Sequence, residues 1–355
     1  MGEMLTRLTL PGTMSQVRYV TPVRPRGAPE LVTRVYAQVA EDFGMLAPPM
    51  LLHSPAPEAL AAAWCVLRES LLARGRAGRA AKEVVATAVS AGNTCPYCVD
   101  VHQATLSGLL GPARAVELAD DPALLGVDEW AWSLGTRDSA APLDPPVPAE
   151  QAAELAGVAV TFHYLNRMVN VFLGDSLLPP QVPARARGGL LRMFGLVMRP
   201  MARRGAVPGR SLELLPAAPP AADLAFADGA PHVAGAFARA AHAIDEIGRR
   251  SVPSPVRALV AAELAAWDGR PPGLGRGWAD GPVSGLPPEH RAAGRLALLT
   301  AMASYQVDAA VVDAFRAGAP QDRALVELTS WAAMAAAREV GSWTRAVAAR
   351  EPHSA

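Results

Sequence analysis

Helical periodicity constrains the fold of this chain more than any other feature. Apolar residues recur at i, i+3 and i+4 within Ala-rich segments, whereas the alternating β-branched pattern of strands is nearly absent. Clusters of proline and glycine separate these segments, as is typical of loops between helices. The pattern predicts an all-α protein with loop-rich connections, and its helical segments are Pro57–Ala73, Lys82–Ala91, Glu150–Leu173, His232–Arg249 and Pro288–Ala317.

Composition and charge exclude several classes of protein. The chain has 355 residues, with 33 basic and 33 acidic side chains and no net charge, which argues against an electrostatic nucleic-acid binder. A hydrophobic content of 51% excludes a largely disordered chain, and three cysteines are too few for a disulfide framework. The sequence has no signal-peptide core and no apolar run of the ~20 residues that a spanning helix needs. We therefore expect a cytoplasmic protein that neither binds nucleic acid nor spans a membrane.

A faint internal repeat divides the chain into two related helical halves. The pattern Val147-Pro148-Ala149-Glu150 matches Leu286-Pro287-Pro288-Glu289, and the helices that follow stay in register. We predict a catalytic half at 1–178, a basic Pro/Gly-rich linker at 179–220 and a degenerate half at 221–355. The alternative is that two unrelated Ala-rich helical stretches align this well.

The second half is expected to be catalytically silent. In the register of the repeat, Val260 occupies the place that Glu83 has in the first half, and no cysteine follows Cys98.

The predicted linker has a concentrated positive charge. From Arg185 to Arg210 it contains seven arginines and no acidic residue, interleaved with apolar side chains. We interpret it as a helix that packs its apolar side against the protein and leaves its arginines in solvent. The alternative is a basic amphipathic helix that lies on an anionic membrane or on a partner.

One segment, residues 82–102, contains the most specific chemical pattern of the chain. Its first ten residues have a good helical composition, and Gly92-Asn93 supplies a helix stop that tolerates a left-handed backbone. Thr94 is a natural N-cap for a second helix, in which Pro96 occupies the first turn without the loss of a hydrogen bond. The segment therefore predicts two helices joined by a tight turn.

Side chains with complementary chemistry meet on this predicted hairpin. Cys95, Cys98 and His102 form one stripe at i, i+3 and i+7 on the second helix. Glu83 lies about as far before the turn as His102 lies after it, so the two face each other if the helices fold back. The helix dipole is expected to lower the pKa of both thiols, and Cys-x-x-Cys spacing permits a reversible disulfide. A nucleophilic thiol, a resolving thiol, a base and an orienting carboxylate are what a thiol peroxidase or a disulfide reductase requires.

The same residues are also compatible in type with a metal site, a haem attachment site or a buried core. Two cysteines, a histidine and a carboxylate are zinc ligands by composition, but structural zinc sites draw on separated pairs, and here three of the residues share one helix. Haem attachment is excluded because three residues separate Cys98 from His102. The remaining alternative is that the cysteines are buried core residues without a chemical role. We adopt this interpretation for Cys65.

The spacing Glu-x11-Cys-x2-Cys-x3-His, with Gly108 six residues after the histidine, resembles the alkylhydroperoxidase D-like branch of the carboxymuconolactone decarboxylase superfamily. The resemblance extends loosely from about Leu31, through the helix at Pro57, to Thr161–Gly174, and so covers roughly the first half of the chain. It implies an all-α fold, usually in homo-oligomers, and the reduction of a hydroperoxide substrate.

By this resemblance, Cys98 is the thiolate that attacks the peroxide and Cys95 is its resolving partner, so that a redox-active Cys95–Cys98 disulfide forms. Glu83 and His102 form the proton relay. The resemblance implies a dithiol reductant, which in the best-known relatives belongs to a lipoyl-bearing protein, and no bound cofactor or metal. This chain departs from the pattern because Pro96-Tyr97 separates the cysteines, where some relatives have a histidine, and because it is much longer than the simple peroxidases.

Two further hypotheses are kept beside the peroxidase. The first is a carboxymuconolactone decarboxylase-like lactone enzyme, although the decarboxylase branch typically lacks the cysteine pair. The second is a non-catalytic, redox-sensing oligomeric protein whose cysteine pair only registers oxidants.

Polar residues also follow one side of the helical segment at 161–170. His163, Asn166, Arg167 and Asn170 stand at i, i+3, i+4 and i+7. This stripe either lines the active-site pocket or an oligomer contact, or forms a helix face that is hydrogen-bonded to loops. The histidines without a partner in the sequence are expected to be structural or exposed: His53, His232, His242 and His290.

Overall fold

The computed structural model describes residues 2–111, 122–137, 146–179 and 181–344. Within these ranges the regular secondary structure is helical, with one isolated β-bridge between Ala73 and Ala206 and no strand. The predicted all-α fold is therefore confirmed. No helix in the same ranges combines the length and the hydropathy that a membrane span requires.

The helices before the basic segment are α1 Gly2–Ser15, α2 Glu30–Phe43, α3 Pro48–Leu51, α4 Pro57–Leu67, α5 Arg79–Gly92, α6 Pro96–Leu110, α7 Pro122–Ser133 and α8 Ala149–Phe172. A π-helical turn at Arg68–Leu72 extends α4. Within the predicted linker lies α9 Ala184–Arg204. The helices that follow are α10 Pro231–Ser251, α11 Ser254–Ala266, α12 Asp280–Ser284, α13 Arg291–Met302, α14 Ala309–Arg316 and α15 Asp322–Trp343. Short 3₁₀ helices occupy Arg210–Leu214, Ala222–Ala227, Arg276–Ala279, Pro288–His290 and Ser304–Gln306.

Helix α8 forms the centre of the fold. Almost every residue from Ala152 to Phe172 is buried, and a helix that is buried all round belongs to the core of a large protein. It packs against α4, α5 and α6 on one side and against α13 and α15 on the other. A single apolar core therefore extends across the two predicted halves. The division into 1–178, 179–220 and 221–355 stays a prediction.

The turn between α5 and α6 differs by one residue from the predicted turn. Thr94, rather than the Gly-Asn pair before it, has the left-handed backbone, with a φ of 53°. The N-cap of α6 is Cys95, followed by Pro96 at the first helical position. The prediction of Thr94 as the N-cap is wrong because the Cys95 amide donates to the Ser90 carbonyl oxygen at 2.9 Å, which closes the turn one residue later.

Helix α9 packs directly on α6 through two glycines. A Cβ atom added at Gly108 would lie 2.1 Å from the Gly195 carbonyl oxygen, and one added at Gly195 would lie 2.1 Å from the Ala104 carbonyl oxygen. Met198 and Ala202 are buried on the same side of α9. This agrees with the interpretation of the basic segment as a helix that packs against the protein.

The outer face of α9 is more apolar than that interpretation assumed. Met193, Leu196 and Val197 are 59%, 57% and 60% exposed. Exposed arginines stand on either side of them along the helix: Arg185, Arg192, Arg203 and Arg204. Some apolar residues of this segment therefore pack on the protein and others face the solvent, because only the side of α9 that contains the glycine contact is buried.

We expect Gly108→Ala to destabilise the protein by about 1–3 kcal/mol, because the added methyl group would force the backbones of α6 and α9 apart. Chemical denaturation measures the effect. Gly189→Ala in α9 is the matched control, since its Cβ position is open and alanine favours a helix by up to ~1 kcal/mol over glycine. Equal losses of stability in the two variants would contradict the close contact.

Candidate active site

The α5–α6 hairpin brings Glu83 and His102 into direct contact. His102 Nδ1 lies 2.7 Å from Glu83 Oε2, and Arg79 Nε donates to Glu83 Oε1 at 2.7 Å. The Glu83 carboxylate is fully buried, whereas the His102 side chain is 12% exposed. The rings of His102 and Phe162 form a T-shaped contact, with their centroids 4.5 Å apart. The imidazole is thus held in one orientation by a charge on one side and an aromatic ring on another.

The surroundings of Glu83 keep it ionised. Burial alone would raise the pKa of this carboxyl group, but the charge of Arg79 and the contacts with His102 outweigh burial, so its pKa is lowered. A carboxylate accepts the Nδ1–H of His102 and leaves Nε2 as the free nitrogen of the neutral ring. This arrangement orients a histidine that can take up a proton at Nε2 and release it again.

The two cysteines lie at the start of α6 and are both buried. Cys95 is 1% exposed and Cys98 is 4% exposed, and both are free thiols. Burial raises the pKa of the Cys98 thiol, and its neighbour Cys95 adds to the increase, while a hydrogen bond with Asn166 opposes it. The expected lowering of the Cys98 pKa by the helix dipole is therefore wrong, because desolvation dominates where the thiol is enclosed.

A largely apolar cavity of about 120 Å³ reaches both Cys98 and His102. Its other walls come from α1, α2, α3, the end of α4 with its π-helical turn, α8 and α9, and they include Phe43, Met50, Leu71, Phe162, Leu165, Val169, Leu177, Phe194 and Met198. A concave apolar site with a few polar groups is typical of a small-molecule pocket. The thiol and the imidazole are the reactive groups on its wall.

A network of amide side chains connects the α5–α6 turn to α8. Asn93 Nδ2 donates to Asn166 Oδ1 at 3.0 Å, and Asn166 Nδ2 donates to Ser90 Oγ at 3.0 Å. Asn170 Nδ2 donates to the Asn93 carbonyl oxygen at 3.1 Å. Because Asn166 also lowers the pKa of the Cys98 thiol, the network that connects the turn to α8 acts on the thiol as well.

The structure thus brings together all the residues that the sequence pattern selected, Glu83, Cys95, Cys98 and His102, while their roles in a reaction stay predictions. Sequence reasoning missed Arg79 and Asn93. Arg79 stands four residues before Glu83, a spacing that places the two side chains together on a helix and could have identified it. Asn93 had been assigned only to the helix stop.

The predicted polar stripe of α8 divides between two environments. Asn166 and Asn170 contact the turn, whereas His163 and Arg167 line a second cavity that does not include either cysteine.

Other predicted residues lie in the core. Cys65 is buried, as expected, and burial raises its pKa to about 12. His53 is also buried, with Nδ1 2.8 Å from the Pro49 carbonyl oxygen and Nε2 3.0 Å from the Tyr164 hydroxyl. Among the residues that the structure describes, no group of three or more His, Cys, Asp and Glu side chains is arranged to hold a metal ion.

The sequence is similar to a known family and to a curated protein. The model of the carboxymuconolactone decarboxylase family matches residues 58–116, the stretch that contains α4, α5 and α6. A curated protein of Mycobacterium tuberculosis described as an alkyl hydroperoxide reductase is 37% identical over 341 residues, which are 94% of this chain and 97% of that protein. No solved structure matches.

The ionised state of Glu83 predicts a pH dependence of stability. Because its pKa is lower in the folded protein than in the unfolded chain, its contribution is fully present above the unfolded value of about 4.3 and is lost as the pH falls through the folded value. We expect Glu83→Gln to show a shallower loss of unfolding free energy than the wild type below about pH 4.3, measured by urea denaturation at several pH values. Glu289→Gln, at an exposed position, should follow the wild type. Parallel curves for wild type and Glu83→Gln would disprove the assignment.

Proposed function

Because the chain belongs to the carboxymuconolactone decarboxylase superfamily, in its alkylhydroperoxidase D-like branch, we propose that it is a thiol-dependent peroxidase that reduces organic hydroperoxides through Cys95 and Cys98. The name of the 37% identical relative supports a peroxidase-type role at the level of the family. One observation carries the finer proposal. His102, which lies 2.7 Å from the buried Glu83 carboxylate, lines the same apolar cavity as Cys98.

The first chemical step is attack by Cys98 on the peroxide. Burial raises the pKa of this thiol, so the proton must be removed by a base as the reaction begins. His102, one helical turn further on, takes that proton at Nε2 directly or through water, and the Glu83 carboxylate stabilises the resulting imidazolium. The thiolate attacks one peroxide oxygen, the O–O bond breaks, Cys98 becomes a sulfenic acid, and the alkoxide takes the proton from His102 to leave as an alcohol.

The second step closes the disulfide. The Cys95 sulfur attacks the sulfenic sulfur of Cys98, an S–S bond forms, and hydroxide leaves with the proton of Cys95 as water. The two side chains already interact in the reduced protein. The balance is one hydroperoxide and two thiols converted into one alcohol, one water and one disulfide.

The catalytic cycle then needs two electrons from outside. We propose a dithiol reductant, with a lipoyl-bearing protein as the first candidate because the family resemblance implies it. A dithiol restores both cysteines by thiol–disulfide exchange and needs no bound cofactor. We further propose that the protein is a homo-oligomer. We also propose that it is located in the cytoplasm, where a reducing environment keeps Cys95 and Cys98 available for turnover.

The cysteine variants test the proposed peroxidase directly. Cys98→Ser should reduce the consumption of cumene hydroperoxide to the uncatalysed rate, because the attacking sulfur is lost. Without added reductant, Cys95→Ser should consume one equivalent and stop, leaving a sulfenic acid that dimedone traps. Peroxide loss with dihydrolipoamide or with thioredoxin as the donor is the measurement.

Cys65→Ala is the matched control, since Cys65 lies in the core away from the cavity residues, and it should retain the wild-type rate. Equal rates for wild type and Cys98→Ser would refute the peroxidase. Oxidation of the wild type once, without turnover by either donor, would support the redox sensor instead.

The apolar cavity predicts a preference for organic hydroperoxides. We expect kcat/KM for cumene hydroperoxide to exceed that for hydrogen peroxide by ~10- to 100-fold, which corresponds to burial of a group the size of one apolar side chain. Leu177→Asn should reduce this ratio because Leu177 lines the cavity, whereas Leu178→Asn, beside it but not on the wall, should not. A ratio near one in the wild type would show that the cavity does not select the substrate.

A further inference from the structure

A second cavity, of about 210 Å³, shares no lining residue with the cavity at Cys98. Its walls come from the end of α5, the end of α7 with the residues after it, the middle of α8, and two segments of the second half, 267–271 and 302–305. The two halves meet closely here. A Cβ atom added at Gly269 would lie 1.8 Å from the Gly135 carbonyl oxygen, and the Arg137 amide donates to the Asp268 carbonyl oxygen at 2.9 Å. Main-chain contacts between the two halves thus shape this cavity.

One wall of this cavity carries a buried positive charge. Arg167 is 5% exposed, and its Nε donates to the Ala301 carbonyl oxygen at 2.8 Å, while Nη1 donates to the carbonyl oxygen of His163. The Trp267 ring lies 5.7 Å from the guanidinium carbon. Among the described residues no carboxylate contacts Arg167, in contrast to the buried Arg68, which pairs with Asp42 and Glu69. Burial lowers its pKa to about 10, so the group is charged at neutral pH and lacks a counter-ion.

A second polar group beside Arg167 also lacks a partner. His163 is 3% exposed; its Nδ1 lies 3.2 Å from the Asn93 side-chain amide, but its Nε2 makes no hydrogen bond. The ring edge next to Nε2 lies beside Gly135, where an added Cβ would be 3.7 Å from His163 Cε1 and no side chain fills the space. Burial and the charge of Arg167 lower the pKa of this imidazole, which is therefore neutral. Nδ1 lies 3.2 Å from both Nδ2 and Oδ1 of Asn93, and in the tautomer in which Nδ1 accepts from Nδ2, Nε2 carries the hydrogen and is a donor.

A buried, unpaired guanidinium and a buried, unused imidazole nitrogen on one cavity are costly unless an occupant satisfies them. We propose that this cavity binds a small organic carboxylate, which pairs with Arg167 and accepts a hydrogen bond from His163 Nε2, while its apolar part packs against Trp132, Trp267 and Met302. A guanidinium recognises a carboxylate through charge-assisted hydrogen bonds. The aromatic and apolar walls favour an occupant with a ring or a short hydrocarbon chain over an inorganic anion.

The charge of the cavity selects a monoanion. Arg167 supplies one buried positive charge and His163 is neutral, whereas Arg270, the other cation on the wall, is 71% exposed and lies 3.8 Å from Asp268. One negative charge is therefore compensated within the cavity. A phosphate dianion would bring a second charge that only the solvent-screened Arg270 could approach.

Binding of benzoate to the purified full-length protein tests the proposal, with benzamide as the neutral isostere and phenyl phosphate as the dianion. Calorimetry gives the affinities, and tryptophan fluorescence reports occupancy because Trp132 and Trp267 line the cavity. We expect benzoate to bind at least ~10-fold more tightly than benzamide, and more tightly than phenyl phosphate. Benzoate that binds no better than benzamide, or phenyl phosphate that binds best, would overturn the proposal.

Variants locate the ligand. Arg167→Gln should weaken benzoate at least ~10-fold and abolish the preference over benzamide, whereas Arg270→Gln should change the affinity by less than ~3-fold. If circular dichroism shows that Arg167→Gln is unfolded, Trp132→Ala replaces it, since Trp132 is 56% exposed, and it should weaken benzoate several-fold. Unchanged affinity in a folded Arg167→Gln, or in Trp132→Ala, would place the ligand elsewhere. The readout is binding, so the result does not depend on the proposed peroxidase activity.

Discussion

Burial of α8 on every side is the constraint on which the rest of the molecule depends. A helix surrounded by protein can carry polar side chains only where each one finds a hydrogen bond. Thr161 meets Ser70 at 2.9 Å, and the Tyr164 hydroxyl lies 3.0 Å from His53 Nε2. The polar residues of α8 therefore determine which loops and helices can surround it. Arg167 stands out because main-chain carbonyl oxygens are the acceptors it has found among the described residues.

The neighbouring helix α5 is held between α6 and α8 by buried charges. Lys82, the single lysine of the chain, lies 3.1 Å from Glu154 on α8, while the adjacent Glu83 reaches His102 on α6. Glu154 also accepts hydrogen bonds from two main-chain amides that precede α5, at 2.7 and 3.1 Å. Removal of one partner from a buried pair leaves an uncompensated charge, which is strongly destabilising. Two consecutive residues thus fix the position of α5 relative to two different helices, and the orientation of the histidine depends on both.

Much of the fold and of the candidate site could be predicted from the sequence because both follow from local spacing. Helical periodicity indicated the all-α architecture, and equal distances from a turn placed Glu83 opposite His102. The two predictions that were wrong, the N-cap of α6 and the pKa of Cys98, depend on contacts that the local sequence does not show. Nothing local shows that Thr94 adopts a left-handed backbone, since this follows from closure of the turn at Ser90. The raised pKa of Cys98 depends on burial among α8 and the helices around the cavity, which a helix-dipole argument does not include.

The contact between α6 and α9 has a consequence for the diversity of relatives. Gly108 and Gly195 bring main chain against main chain, so a side chain at either position would force α6 and α9 apart. Phe194 and Met198, which line the cavity, are carried by this fixed helix. A relative that differs in the size of molecule its cavity accommodates is therefore expected to differ in side-chain volume at these two positions, whereas a substitution at either glycine would displace the helix that carries them.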